Sequence, residues 1–365
     1  MTEPVTHDAR STGAYRRIAT EEAWGPPELF DVYRRMYDRN EGGRGFQVYQ
    51  GYYLFSEADR VRFVKERVQD LGAQRLADMD AVGIDHAVLS LTAPGTQVMD
   101  ADTARAIAAL SNDRLAEACR QHPSRFSGLA AVGFDDVPAA VSELERAVTK
   151  LGLKGLICNS NINGHYLDEA RFSPLFEALE ALDVPLYLHP TIPTDAMNGP
   201  LIDAGLDGAI FGFAVEAGMH LLRIITSGVL DRFPKLRIVV GHLGEGLPFW
   251  FYRLNFMHAG QVAAKRYAAM QPLELTISDY FRRNVWLTTS GMPSAPAIMY
   301  TREVVGADRV MYAMDYPYEY VADEVRMQDE LPLSAQEKKQ FFEGNAIRVF
   351  GLDESKLASR ARSAS

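Results

Sequence analysis

Cysteine is nearly missing: the 365-residue chain carries two, Cys119 and Cys158. They share no metal-type or redox-type spacing, so a disulfide scaffold and a thiolate metal site are excluded, and both read as inert core residues. Positive charge is also short. Lys and Arg total 38 against 48 Asp and Glu, a net charge of −10, which argues against nucleic acid and against anionic membrane surfaces as partners. No apolar run approaches the ~20 residues that span a bilayer. The first residues, "MTEPVTHDARSTGAYRR", lack the apolar segment of a secretory signal, so a cytoplasmic location is expected. Internal repeats, low-complexity linkers and a Gly-rich phosphate loop are likewise lacking, and a dinucleotide-binding fold goes with them.

What the chain does have is rhythm. Short β-branched runs alternate with amphipathic helical stretches. The runs are "RRIATEE", "DHAVLSL", "FSGLAAVG", "KGLICNS", "VPLYLHP", "LRIVVGH", "NVWLTTS" and "RVMYAMD". Each is mostly apolar rather than alternating, as in a parallel sheet covered on both faces. Eight β-then-α units predict a (β/α)8 TIM barrel, an α/β fold. A typical barrel takes about 250 residues, so the surplus is assigned to tails and to an insertion. The expected organisation is a disordered N-terminal tail over 1–14, a single barrel over 15–352 and a polar C-terminal tail over 353–365. The insertion is "EGGRGFQVYQGYYLFSEADR", a Gly- and Tyr-rich loop between strands one and two, above the barrel mouth.

In this fold, chemistry sits at the C-terminal ends of the strands. Strand one ends at Glu21, five at His189, six at His242 and eight at Asp315. Any one of these fits a bland role, a carboxylate paired with Arg or a satisfied core histidine. Four such groups converging on one mouth predict a site. Glu21, His189 and Asp315 form a ligand set for one divalent ion. Two carboxylates and an imidazole suit Mn²⁺ or Mg²⁺, with Zn²⁺ also compatible, and no organic cofactor is called for. Of the adjacent acids, Glu21 is expected to point inward and Glu22 to pack or pair elsewhere. His242 and Glu245, in "GHLGEG", are spaced so that one turn brings carboxylate to imidazole, fixing its tautomer or raising its basicity.

Longer motifs extend this reading. The segments "ATEEAW", "LYLHP", "AGLDGAIFGFAVEAGMHLLRIITSGVLDRFPKLRIVVGHLGEGLPFWFYRL", "LTTSGM" and "RVMYAMDYPYEYVADEV" resemble the amidohydrolase superfamily, in its branch of metal-dependent, nonoxidative aromatic acid decarboxylases. The central and last segments are most similar to 5-carboxyvanillate decarboxylases, and related enzymes act on γ-resorcylate and 2,3-dihydroxybenzoate. Many hydrolases of the superfamily open with His-x-His and hold a second metal on a modified lysine at strand four. Here those two positions are Glu21 and Ala23, and Lys154 lies at the start of its strand. A mononuclear site follows from that departure.

The resemblance implies further roles. Asp315 would deliver a proton to the substrate carbon, and His242 with Glu245 would act as an acid–base or orienting pair. Arg253 matches an arginine that family members use near the substrate, with Arg60 as a second cation for an anionic ligand. Tyr53 and Tyr318 are candidates for the pocket wall. The expected partner is a small aromatic acid, and a homodimer or homotetramer is expected by resemblance. A competing reading within the superfamily is a metal-dependent hydrolase of an aromatic lactone or ester. His220 falls within a helical pattern and reads as structural, His86 begins strand two at the wrong end of the barrel for catalysis, and His7, His122, His165 and His258 have no supporting context; all six are left outside the site.

Overall fold

The computed structural model describes residues 15–357. The expected N-terminal tail, and the C-terminal tail beyond residue 357, lie outside the described residues.

All eight anticipated runs are strands: β1 (Ile18–Trp24), β2 (His86–Leu91), β3 (Phe126–Gly128), β4 (Leu156–Asn159), β5 (Leu186–His189), β6 (Ile238–Val240), β7 (Val285–Thr288) and β8 (Val310–Met311). Hydrogen-bonded neighbours run β1-β2-β3 and β4-β5-β6-β7-β8, every pair parallel. Two single bridges, Ala130↔Leu156 and Glu22↔Tyr316, join these sheets into a closed (β/α)8 barrel.

Two-residue alternation divides the strand side chains between two cores. Val88, Ile157, Tyr187, Val239, Trp286 and Met311, from six different strands, pack together inside the barrel. Their neighbours Leu89, Leu156, Leu186, Ile238, Leu287 and Val310 join the layer between sheet and helices. That is why the runs read as continuously apolar. Helix starts follow local chemistry: Asp100 accepts from the Thr103 N–H at 3.0 Å and Asp136 from that of Ala139 at 3.1 Å, each capping an orphan donor. Among the described residues, no helix is long and apolar enough to cross a membrane.

The insertion between β1 and β2 is helical rather than an open loop. It comprises α1 (Pro27–Asp38), α2 (Gly43–Phe55), α3 (Asp59–Val68) and α4 (Ala73–Val82). Its glycines have a packing reason. A Cβ at Gly43 would stand 2.4 Å from the Asp195 carboxylate, and one at Gly45 would stand 2.5 Å from Asn198. That close approach lets Asp195, after β5, accept from the Arg44 and Gly45 N–H groups at 3.0 and 3.1 Å. A residue 150 positions away therefore caps α2. At the other terminus Leu357, within the expected polar tail, is buried in the inner core.

Candidate metal centre and active-site cavity

The register between β1 and β2 shifts between Ala19 and Glu22, an irregularity of the kind that re-aims a side chain beside a functional site. Glu21 is 3% exposed. Its Oε2 accepts hydrogen bonds from the Tyr187 hydroxyl, from Thr288 Oγ1 at 2.8 Å and from Ser290 Oγ at 2.6 Å. Oε1 has no hydrogen-bond partner although it is fully buried. It faces His189 Nε2 at 3.4 Å and His242 Nε2 at 3.5 Å. Burial pushes this carboxyl up, but His242, His189 and the Ser290 and Tyr187 hydroxyls outweigh it and hold the group below its ordinary pKa. One oxygen is thus tethered and the other is presented.

Ligand atoms of Glu21, His189 and Asp315 lie within 4.8 Å of one another, and this is the one such group among the described residues. The donor set fits a divalent cation. An orphaned carboxylate oxygen points into it, two carboxylates and an imidazole surround it, and a buried cluster this negative needs a positive charge. Lys154 lies far from it, at the opposite end of β4, with Nζ donating to the Gly351 carbonyl at 3.4 Å. Gly241 clears the space behind: a Cβ there would fall 2.5 Å from Glu21 Oε2.

Beyond β6 the backbone takes an uncommon course. His242, Leu243, Gly244, Glu245 and Gly246 have φ of 51°, 54°, 77°, 55° and 74°. That is a turn of left-handed helix, which costs roughly 1–2 kcal/mol per non-glycine residue. The strain brings His242 Nδ1 to 2.8 Å from Glu245 Oε1, leaving Nε2 directed at Glu21 and, at 3.8 Å, at Asp315 Oδ2. Burial opposes a charge on His242, but Glu245, Glu21 and Asp315 overcome it and raise its pKa well above the ordinary value. Asp315 is also left-handed, at φ 67°. Backbone strain of this kind concentrates where side-chain placement matters.

Glu22 turns away from the cavity, as expected. Its two oxygens accept from the N–H groups of Met314 at 3.0 Å and Tyr316 at 3.3 Å, the amides on either side of Asp315. The Asp315 N–H itself donates to the Glu21 carbonyl at 3.1 Å. Burial pushes the Glu22 carboxyl up to about 8, against the two amides and the Arg75 guanidinium. Adjacent acids on β1 therefore divide the work: Glu21 faces the cation position, and Glu22 clamps the strand end that carries Asp315.

The mouth opens into a cavity of about 520 Å³ with His189, His242 and Asp315 in its wall. That volume suits a small ligand. Tyr49, Tyr53, Tyr318 and Phe213 form an aromatic side. Tyr53 and Tyr318 meet edge to face at 5.7 Å, and the Tyr318 hydroxyl sits 2.7 Å from Thr92 Oγ1. Both tyrosines singled out in the sequence line the cavity. Neither arginine does. Arg60 is exposed and lies over Phe63 at 5.6 Å, although its charge is felt at Tyr53 and Glu319. Arg253 is exposed on the helix Phe251–Ala263, beside exposed Tyr252 and Phe256.

Tyr187, Thr288, Ser290 and Glu319 were not singled out in the sequence. A signal existed for three of them. Tyr187 precedes His189 by two residues, and Thr288 and Ser290 share a face by the same spacing, so strand alternation alone aims them at the mouth. His86 and His220 lie apart from the cluster: His86 contacts Ser124 and Ser127, and His220 accepts from the Leu167 N–H at 2.9 Å.

Comparison with known proteins agrees with this geometry. A family model described as Amidohydrolase matches residues 66–352. Gamma-resorcylate decarboxylase of Polaromonas sp. strain JS666 is 35% identical over 301 residues, covering 80% of this chain and 90% of its own. The structure of 5-carboxyvanillate decarboxylase from Novosphingobium aromaticivorans, complexed with manganese and 4-hydroxy-3-methoxy-5-nitrobenzoic acid, superposes with a TM-score of 0.93 at 49% identity, covering 94% of this chain and 99% of that one. That of 5-carboxyvanillate decarboxylase from Sphingomonas paucimobilis gives a TM-score of 0.87 at 38% identity, covering 93% and 99%. A closed eight-strand barrel, a ligand group at its strand ends and matches over nearly the whole chain lead to one conclusion: the chain belongs to the amidohydrolase family.

Proposed function

We propose that the chain is a divalent-metal-dependent, nonoxidative decarboxylase of an ortho-hydroxybenzoate, with a 5-carboxyvanillate-like acid as substrate and Mn²⁺ as the ion. The observation that carries this reading is the placement of Glu21, His189 and Asp315 within ligand distance of one another beside an aromatic-walled cavity. Relatives with manganese and a nitrobenzoic acid bound, or acting on γ-resorcylate, support it.

Direct loss of CO₂ from a benzoate would leave an electron pair in an sp² orbital orthogonal to the ring π system. Protonating the carboxyl-bearing carbon first makes that carbon tetrahedral, and departure of CO₂ then restores aromaticity. A bound divalent ion supplies positive charge for the phenolic and carboxylate oxygens and fixes the ring's orientation. Asp315 takes up a proton, with the substrate's ortho hydroxyl as its source, and delivers it to the ring carbon. His242, oriented by Glu245 and held near Asp315 and Glu21, stabilises the negative charge that shifts among these groups. Tyr53 and Tyr318 hold the ring, and the cavity's apolar side keeps bulk water from competing for the proton.

The decisive test is incubation with hydroxybenzoates and, separately, with aryl lactones. Release of CO₂ and of the matching phenol is expected. Chelation should lower the rate by at least about 100-fold, with recovery on adding Mn²⁺. Lactone hydrolysis without CO₂ release would overturn the reading.

Glu22 enters as a positioning residue. In Glu22→Gln the amide nitrogen cannot accept, so one of the Met314 and Tyr316 N–H groups loses its partner. A kcat lower by roughly 10–100-fold with little change in KM is expected, as for groups that orient the side chains holding a metal. Unfolding stability should fall by about 1–3 kcal/mol. A variant equal to the parent in kcat would show that the clamp has no part in holding Asp315.

The cavity of one chain is lined by no Arg or Lys, whereas an anionic substrate calls for a cation. Arg253 has no hydrogen bond or ion pair among the described residues and stands amid exposed Phe249, Trp250, Tyr252 and Phe256. An apolar patch of that size marks an association surface. Our reading is therefore a homodimer or homotetramer in which this face is covered and Arg253 is available to a neighbouring cavity, with Arg60 contributing from the same chain. A monomeric mass by light scattering would remove it.

A further inference from the structure

At the opposite end of the barrel from the mouth, an open cleft of about 360 Å³ lies among the residues that precede β6, β7 and β8. In a chain of net charge −10, this cleft has the reverse sign. Lys235, Arg237, Arg283, Arg309 and Arg348 line it, together with a single carboxylate, Asp308.

The existing contacts leave much of that charge unanswered. Arg237 pairs with Asp183 at 2.9 Å through Nη1, while its Nε is fully buried and has no hydrogen-bond acceptor. Arg309 and Arg348 share Asp308, at 2.6 and 3.4 Å. Among the described residues Arg283 donates to neutral oxygens alone, Asn284 Oδ1 at 2.7 Å and the Leu230 carbonyl at 2.6 Å. The Lys235 ammonium, which is exposed, has no ion pair or hydrogen bond among the described residues. Five cations thus meet two carboxylates in ion pairs, Asp183 and Asp308, with a third, Glu180, held on the Lys235 backbone N–H at 2.6 Å.

The walls are also set in place. Trp286 donates from its indole N–H to the Asp308 carbonyl at 3.1 Å, and the Arg309 guanidinium lies over its ring at 4.5 Å. Burial pushes the Arg309 pKa down, opposed by Asp308 and aided to a smaller degree by Arg348. Like charges held this close are relieved by an anion between them.

We propose that this cleft is an oxyanion-binding site for a small phosphate-bearing molecule of two or more negative charges. Guanidinium groups on several sides match the geometry of phosphate oxygens, and a dianion answers the surplus better than a halide does. Nothing in the proposed decarboxylation uses these residues, so the site is separate from the mouth.

The test is calorimetric titration of the Mn²⁺-loaded protein with inorganic phosphate, and in parallel with sulfate, nitrate and chloride, at constant ionic strength so that general screening cancels. Saturable binding of the two divalent anions is expected, with none for the monovalent pair. Lys235→Gln removes an exposed ammonium that has no ion pair or hydrogen bond among the described residues, so the fold should stay intact; it should weaken phosphate binding several-fold. The pair Lys235→Gln and Arg348→Gln should weaken it by more than 10-fold without altering CO₂ release. Absence of saturable heat overturns the proposal. So does phosphate binding that is unchanged in both variants, because the anion is then held elsewhere, at the metal centre.

Discussion

Asp315→Asn is expected to retain the bound divalent ion and the fold yet lose CO₂ release by about 10²–10⁴-fold, the range for a positioned proton donor. The substitution keeps size and one carbonyl oxygen, so the group of Glu21, His189 and residue 315 can still ligate. It removes the ability to carry a proton. Backbone effects should be small, because the residue sits at φ 67° and Asn tolerates that region as well as Asp does. The diagnostic readout is isotopic. In D₂O the parent places one deuterium on the product carbon that lost its carboxyl. The variant should lose deuterium incorporation and turnover together while metal content stays at that of the parent. Near-normal turnover with full metal would take Asp315 out of the proton transfer.

Glu21→Ala is the second large effect and acts one step earlier. It removes the untethered Oε1 from the ligand group, and Mn²⁺ affinity should fall by well over 100-fold, beyond the 10–100-fold typical of losing only an outer-shell partner. Activity at micromolar Mn²⁺ should vanish with it. Stability separates this from simple damage. In the parent, Mn²⁺ should raise the melting temperature by mass action, because only the folded state binds the ion. In the variant that rise should disappear, although the metal-free protein melts lower than the metal-free parent because the Tyr187, Thr288 and Ser290 hydroxyls lose their acceptor. The carboxylate faces two imidazoles through the one oxygen that has no hydrogen bond among the described residues, so the rise on adding Mn²⁺, and not the metal-free melting temperature, reports its role as a ligand. A variant that still gains stability from Mn²⁺ would show that the ion sits elsewhere.

The strands and the grouping of Glu21, His189 and Asp315 were legible in the sequence because both rest on short-range rules. Every strand was marked by an apolar run, but of the four residues read as strand ends only His189 closes its strand: β1 continues past Glu21 to Trp24, and His242 and Asp315 lie beyond Val240 and Met311, where β6 and β8 stop. The geometry that tunes them was not legible, because it rests on groups distant in sequence. Tyr187, Thr288 and Ser290 meet on Glu21 from 166, 267 and 269 residues away. The left-handed turn over 242–246 was hidden for another reason: three of its five residues are not glycine, so local propensity speaks against it. The helical insertion was obscured by its own glycines. Gly43 and Gly45 lower helix propensity, yet they are what lets α2 approach Asp195 and Asn198. Neither Arg253 nor Arg60 lines the cavity of the chain, and spacing in a single sequence carries no information about where an exposed guanidinium stands relative to it.

Helix α2 hangs on the barrel by the cap that Asp195 gives it, and it brings Tyr49 and Tyr53 to the cavity while contributing no residue to the ion-binding group. Selectivity and reactivity therefore occupy different stretches of the gene. A substitution within those 13 residues can therefore reshape part of the aromatic wall while Glu21, His189 and Asp315 keep their places.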